Sequence, residues 1–97
     1  MTNDNYIPLQ QKFDAWIEAN PNFWRMFCEF TFELTRANIH KSSAWLVCNR
    51  IRWETALITR GNPYKISNDF IALLSRKFMQ EFPEHQGFFQ TKEMLRA

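Results

Sequence analysis

Cys28, His40, Cys48 and His85 are the only thiols and imidazoles in this chain. Their successive separations of 12, 8 and 37 residues match none of the paired Cys or His spacings of structural zinc sites, in which two ligands close in sequence anchor the ion. The expectation is therefore no metal and no cofactor, with core cysteines and surface histidines. Nucleophilic catalysis would need a hydroxyl or thiol beside a base. Ser42 and Ser43 follow His40 closely, but serine at a helix start more often caps it. Glu81, Glu84 and His85 cluster around a proline and have the types for acid/base work, yet such a trio is ordinary surface composition. With two glycines in 97 residues, no Gly-rich loop offers a phosphate cradle or an oxyanion hole. The chain reads as a non-enzyme.

Two binding chemistries remain. The net charge is only +2, but the window from Arg50 to Lys77 holds Arg50, Arg52, Arg60, Lys65, Arg76 and Lys77 against Glu54 and Asp69, a balance of +4. Arginine and lysine supply the phosphate contacts that dominate nucleic-acid affinity, and glutamine can read an adenine edge. Arg50, Arg52, Lys65, Arg76, Lys77 and Gln80 are accordingly the candidates for contact with nucleic acid or another partner. Against a helix-turn-helix, the connection between the two basic helices runs from Arg60 to Ile66, longer than the usual three or four residues. The competing chemistry is a protein interface, for which aromatic and arginine side chains are the usual anchors. Phe32, Trp53, Leu57 and Leu73 fit least well on single-faced helices. Gathered in one patch they would imply a protein partner or a second copy of the chain.

The elements that must position these residues are helical. The chain is 45% hydrophobic and contains ten Phe, four Trp and two Tyr, too apolar for a disordered tail and of a length that fits one domain. Pro8 can open a first helix, whose stripe is Leu9, Phe13, Trp16 and Ile17. Asn20 and Pro21 read as N-cap and first residue of a second helix to about residue 38, with Phe23, Met26, Phe27, Phe30 and Leu34 inward and Arg25, Glu29, Glu33 and Arg36 outward.

A third helix, capped by Ser42 or Ser43, spans about residues 43–60. Ala44, Val47, Cys48, Ile51 and Ile58 share one arc, and Leu46, Trp53 and Leu57 fall almost opposite. Such a helix is either sandwiched or presents a binding surface. The sandwiched arrangement is the expected one, because helices apolar nearly all round are usually buried.

Gly61, Asn62 and Pro63 end it. Ser67 or Asn68 caps a fourth helix with Phe70, Ile71, Leu74, Phe78 and Phe82 inward and Arg76, Lys77 and Gln80 outward, and Pro83 stops it. The sum is a mostly all-α, compact bundle of four to five helices, with a minimal two-stranded ribbon pairing residues 64–66 with 88–90. Residues 1–7 form a polar arm, 8–92 the domain and 93–97 a tail. The polar N-terminus lacks the pattern of a secretory signal, and no stretch reaches the ~20 apolar residues of a membrane span. A cytoplasmic protein with reduced thiols is expected.

From Arg50 onward the sequence resembles a group of small phage and prophage proteins. The resemblance rests on Arg50-Ile51-Arg52-Trp53-Glu54, Tyr64-Lys65-Ile66-Ser67-Asn68-Asp69-Phe70, Ser75-Arg76-Lys77-Phe78-Met79, Phe82-Pro83-Glu84-His85 and Gly87-Phe88-Phe89. Ser75-Arg76-Lys77 stands where the group has Ala-Arg-Leu, and Ile66-Ser67-Asn68 where it has Leu-Asn-Asn. Covering roughly the C-terminal half, the resemblance implies a phage or prophage origin, hence a bacterial host cell, and a compact helical fold. It brings no catalytic residues. Lys65 and Arg76 are the matched positions least explained by packing. The function expected is a binding module that contacts nucleic acid or a nucleoprotein through the basic half. The alternative is a protein-binding inhibitor of host machinery, such as an antidefence protein, acting through exposed aromatics.

Overall fold

The structure, a computed structural model, describes residues 8–59 and 66–89. Lys65, the side chain of Leu57, the turn at residues 61–63, most of the expected ribbon, the N-terminal arm and the tail lie outside the described residues. Four helices follow in order: α1 (Leu9–Ala19), α2 (Pro21–Arg36), α3 (Ala44–Thr59) and α4 (Asn68–Glu81), with a single 3-10 turn at Pro83–His85. Each helix packs against the next and α1 also packs against α4. The expected helical bundle is the fold found.

Local chemistry sets the helix ends. Ser43 Oγ accepts from the Leu46 amide at 3.1 Å and Ser67 Oγ from the Phe70 amide at 3.1 Å, satisfying amides that an open helix start leaves without partners. Asn20 stands at the N-cap of α2 with Pro21 as its first residue, as expected. Its side chain makes no cap bond to α2 and instead donates to the Trp16 carbonyl at 2.9 Å, finishing α1. The end of α2 is a Schellman motif with asparagine in the usual glycine place: Asn38 takes φ 65°, its amide bonds Thr35 O at 3.0 Å and the Ile39 amide bonds Leu34 O at 3.1 Å.

The core is a phenylalanine stack around Phe78. Its ring lies 6.3 Å from Phe27, 5.3 Å from Phe32, 4.9 Å from Phe82 and 5.6 Å from Phe89 between centroids, distances at which tilted and edge-on aromatic pairs attract. A second group joins α1 to its neighbours, with Trp16 4.9 Å from Phe23 and Phe13 5.4 Å from Phe70. The buried hydroxyls of Thr31, Thr55 and Ser75 donate to the carbonyls of Phe27, Ile51 and Ala72, so the helices carry them inward without unpaired groups.

After α4 the chain folds back. Gly87 has φ 85° and its amide donates to Met79 Sδ at 3.3 Å, which turns Phe88 and Phe89 into the core. Phe89 forms an isolated parallel bridge with Ser42, and the Ser42 amide donates to Phe88 O at 3.0 Å. Ser42 is thus a partner of Phe89 that the expected ribbon with residues 64–66 did not include, and no strand occurs among the described residues. A Cβ on Gly87 would meet nothing within 4 Å, so Gly87→Ala is expected to cost only the backbone term, about 1 kcal/mol. Gly87→Asn should cost less. Thermal denaturation of the two variants checks the order.

Both cysteines are free, Cys48 buried and Cys28 half-buried. Burial pushes each thiol up to about 12, with Glu81 and Glu29 adding at Cys28 against Lys77, and Arg52 opposing at Cys48. Because the folded value lies above the unfolded value of 9.0, the thiols contribute stability that is complete below that value and fades as pH rises through the folded one. Alkylation of the native chain near pH ~8 should run at least about a hundredfold slower than in denaturant, since the thiolate is the reacting form. Comparable rates would contradict this burial.

Candidate functional site

Among the described residues α3 is not sandwiched. Ala44, Val47, Cys48, Ile51 and Thr55 are buried on its inner arc, while Trp45, Leu46 and Trp53 stand 59%, 50% and 65% exposed. Trp45, Asn49, Arg52, Trp53 and Ala56 follow one another along the outward side at helical spacing. The bundle supplies neighbours for α3 from α2 and α4, and among the described residues nothing covers the opposite arc. A helix expected to be buried all round instead presents an aromatic face.

Beside this face, a cleft of about 370 Å³ opens between α2 and α3, lined by Phe30, Leu34, Leu46 and Val47, with Glu33 and Arg50 also on its wall. Arg50 is held from three sides. Its Nε lies 3.1 Å from Glu54 Oε2, its Nη1 3.7 Å from Glu33 Oε1, and its guanidinium 4.3 Å from the Phe30 ring centre. Arg52, two residues on, is exposed and makes no side-chain ion pair among the described residues.

The other expected cations lie elsewhere. Arg76 and Lys77 are half-buried rather than fully outward. With Gln80 they line a groove of about 290 Å³ between α1 and α4, shared with Gln10, Asp14 and Glu81. Lys77 Nζ is 2.7 Å from Glu81 Oε2 and 4.9 Å from the Trp24 ring centre. The structure therefore does not bring Arg50, Arg52, Arg76, Lys77 and Gln80 into one basic patch. Two separate surfaces hold them, and carboxylates accompany the cations on each.

Two of the expected interface residues pack inward, Leu73 within the core and Phe32 against it. Leu73 is 8% exposed because α1 packs across that side of α4, with Phe13 beside it in the same groove. Phe32 is half-buried, its ring 5.0 Å from Phe82 and 5.7 Å from His85, because the turn after α4 closes over it. Trp53 alone of the described expected interface residues is exposed. Trp45 and Leu46 join it, as does Ile39 at the end of α2, 40% exposed. Trp45 was missed as an interface residue, although its spacing of eight from Trp53 places both on one face.

His40, Glu84 and His85 line a small cleft of about 240 Å³ with Thr35, Ile39 and Phe88. Ser43 is occupied as a cap. Among the described residues no group of three or more His, Cys, Asp or Glu is placed to hold a metal ion, and no helix is long and apolar enough to cross a membrane. Comparison with protein-family models, with curated proteins and with solved structures returns no match.

Proposed function

We propose that this chain is a small non-enzymatic binding module, of the phage or prophage kind that its C-terminal half resembles, which docks a protein partner through the outward face of α3. The observation that carries this reading is the exposure of Trp45, Leu46 and Trp53 together on one helix. Large aromatic side chains left in water on a single face are the usual anchors of protein interfaces. Acting in the host cytoplasm, such a module would work by occupying a surface of host machinery, as an antidefence inhibitor does.

Contact with nucleic acid through the basic half has less support, because Arg50 and Lys77 are already neutralised by carboxylates. One observation favours it: Arg52 shares the outward side of α3 with two exposed tryptophans, and aromatic rings with arginine form stacking platforms for single strands.

The test compares capture from nuclease-treated host lysate by the wild-type chain and by a Trp45→Ala/Trp53→Ala variant of matched stability. A protein retained by the first and lost by the second is the expected result. Equal retention, or binding to generic DNA that falls steeply with salt with no captured protein, would overturn the reading.

A further inference from the structure

We infer that the partner segment is an acidic amphipathic helix, its apolar stripe seated in the α2–α3 cleft and over the two tryptophans, and a carboxylate on its flank meeting Arg52. This rests on the reading of α3 as a protein-docking face and specifies what occupies it.

Shape supplies the first argument. Leu46 belongs both to the cleft wall and to the exposed apolar residues of α3, so the cleft opens directly beside the face that carries the tryptophans. Leu46 to Trp53 spans seven residues, a rise of ~10 Å along the helix. That is the reach of anchors spaced i, i+3/i+4 and i+7 on a docking helix.

Charge supplies the second. Glu33 and Glu54 are both engaged by Arg50, whose guanidinium also covers Phe30. Arg50 is thus a fixed wall of the cleft, with its charge already answered. Arg52 is the cation on this face left without a counter-charge among the described residues. A docking surface with one uncompensated arginine among apolar side chains selects a partner that brings the carboxylate. A second copy of the chain fits less well. A two-fold axis across α3 would place two Arg52 side chains on the same face, while the nearby carboxylates Glu33 and Glu54 are already held by Arg50.

The experiment pans the full chain against a library of helices about sixteen residues long, with a fixed leucine stripe at i, i+3/i+4 and i+7 spacing and flanks randomised among Asp, Glu, Lys, Arg, Ser and Gln. Recovered peptides are measured by calorimetry. The expected peptides carry Asp or Glu on one flank. They weaken at least about tenfold with Arg52→Glu, regain affinity for that variant when the flank is changed to Lys, and fail to bind Trp53→Ala and Leu46→Asn.

Recovery of neutral or basic flanks, or indifference to Arg52→Glu, overturns the acidic helix but leaves the docking face standing, provided Trp53→Ala still abolishes binding. Peptides that bind Trp53→Ala and Leu46→Asn as well as wild type, or no enrichment at all, overturn both. Two results without acidic-helix binding would reassign the face. Dimerisation in sedimentation that Trp53→Ala removes would give it to a second copy, and binding of oligo-dT that Trp53→Ala and Arg52→Glu both remove would give it to a nucleic acid.

Discussion

Phe78→Ala is expected to lower stability by about 3–5 kcal/mol, the range for truncating a buried phenylalanine. The side chain is fully buried and joins α2, α4 and the returning C-terminal segment, because its ring meets Phe27, Phe32, Phe82 and Phe89. Those neighbours are themselves rings held from other sides, so the void left by truncation has little freedom to collapse. A domain of this size has roughly 5–15 kcal/mol in all, and each kcal/mol moves the melting temperature by about 4–8 °C. The melt should therefore fall by roughly 15–30 °C. Phe78→Leu, which keeps most of the volume, should lose about 1–2 kcal/mol. If both variants melt within a few degrees of wild type, the ring cluster is not the centre of the core.

Trp53→Ala should behave in the opposite way. At 65% exposed the side chain has little burial to lose, and surface substitutions of this kind usually stay within about 0.5 kcal/mol. Affinity for the partner should nevertheless fall by about 2 kcal/mol or more, because interface energy concentrates in a few tryptophan, tyrosine and arginine anchors. That is roughly thirtyfold in the dissociation constant. Calorimetric binding and a thermal melt on the same sample separate the two effects. A large loss of stability with unchanged binding would make Trp53 a packing residue and remove it from the site.

The sequence carried the helices because their inward stripes and caps are local. Phe23, Phe27 and Leu34 repeat at helical spacing, and Ser43 and Ser67 precede amides that need acceptors. What escaped it depends on which neighbour covers which side. Phe32 is adjacent to charged positions in its own helix, and its cover comes from a turn some fifty residues later. Leu73 is enclosed by α1, at the other end of the chain. For α3 the pattern gave two apolar sides with no means of deciding whether a layer lay over the second, and among the described residues there is none. The basic window overstates the unpaired charge for a related reason: its sum leaves out Glu33 and Glu81, which lie outside it and pair with Arg50 and Lys77. Asn20 shows the same limit at small scale, since its position before Pro21 fits a cap for α2 as well as a clasp for α1.

The pairing of Ser42 with Phe89 has a kinetic meaning. It joins the start of α3 to the segment after α4, closing the α3–α4 pair into a ring of chain whose ends meet only when both helices are in place. Closing so long a loop carries an entropic cost that local helix formation does not, and it is offset once Phe89 has reached Phe27 and Phe78. The closure is therefore expected late in folding, and the Ser42 amide, bonded to Phe88 O outside any helix, is its reporter. Its exchange with solvent deuterium times the opening of the ring rather than the fraying of a helix end.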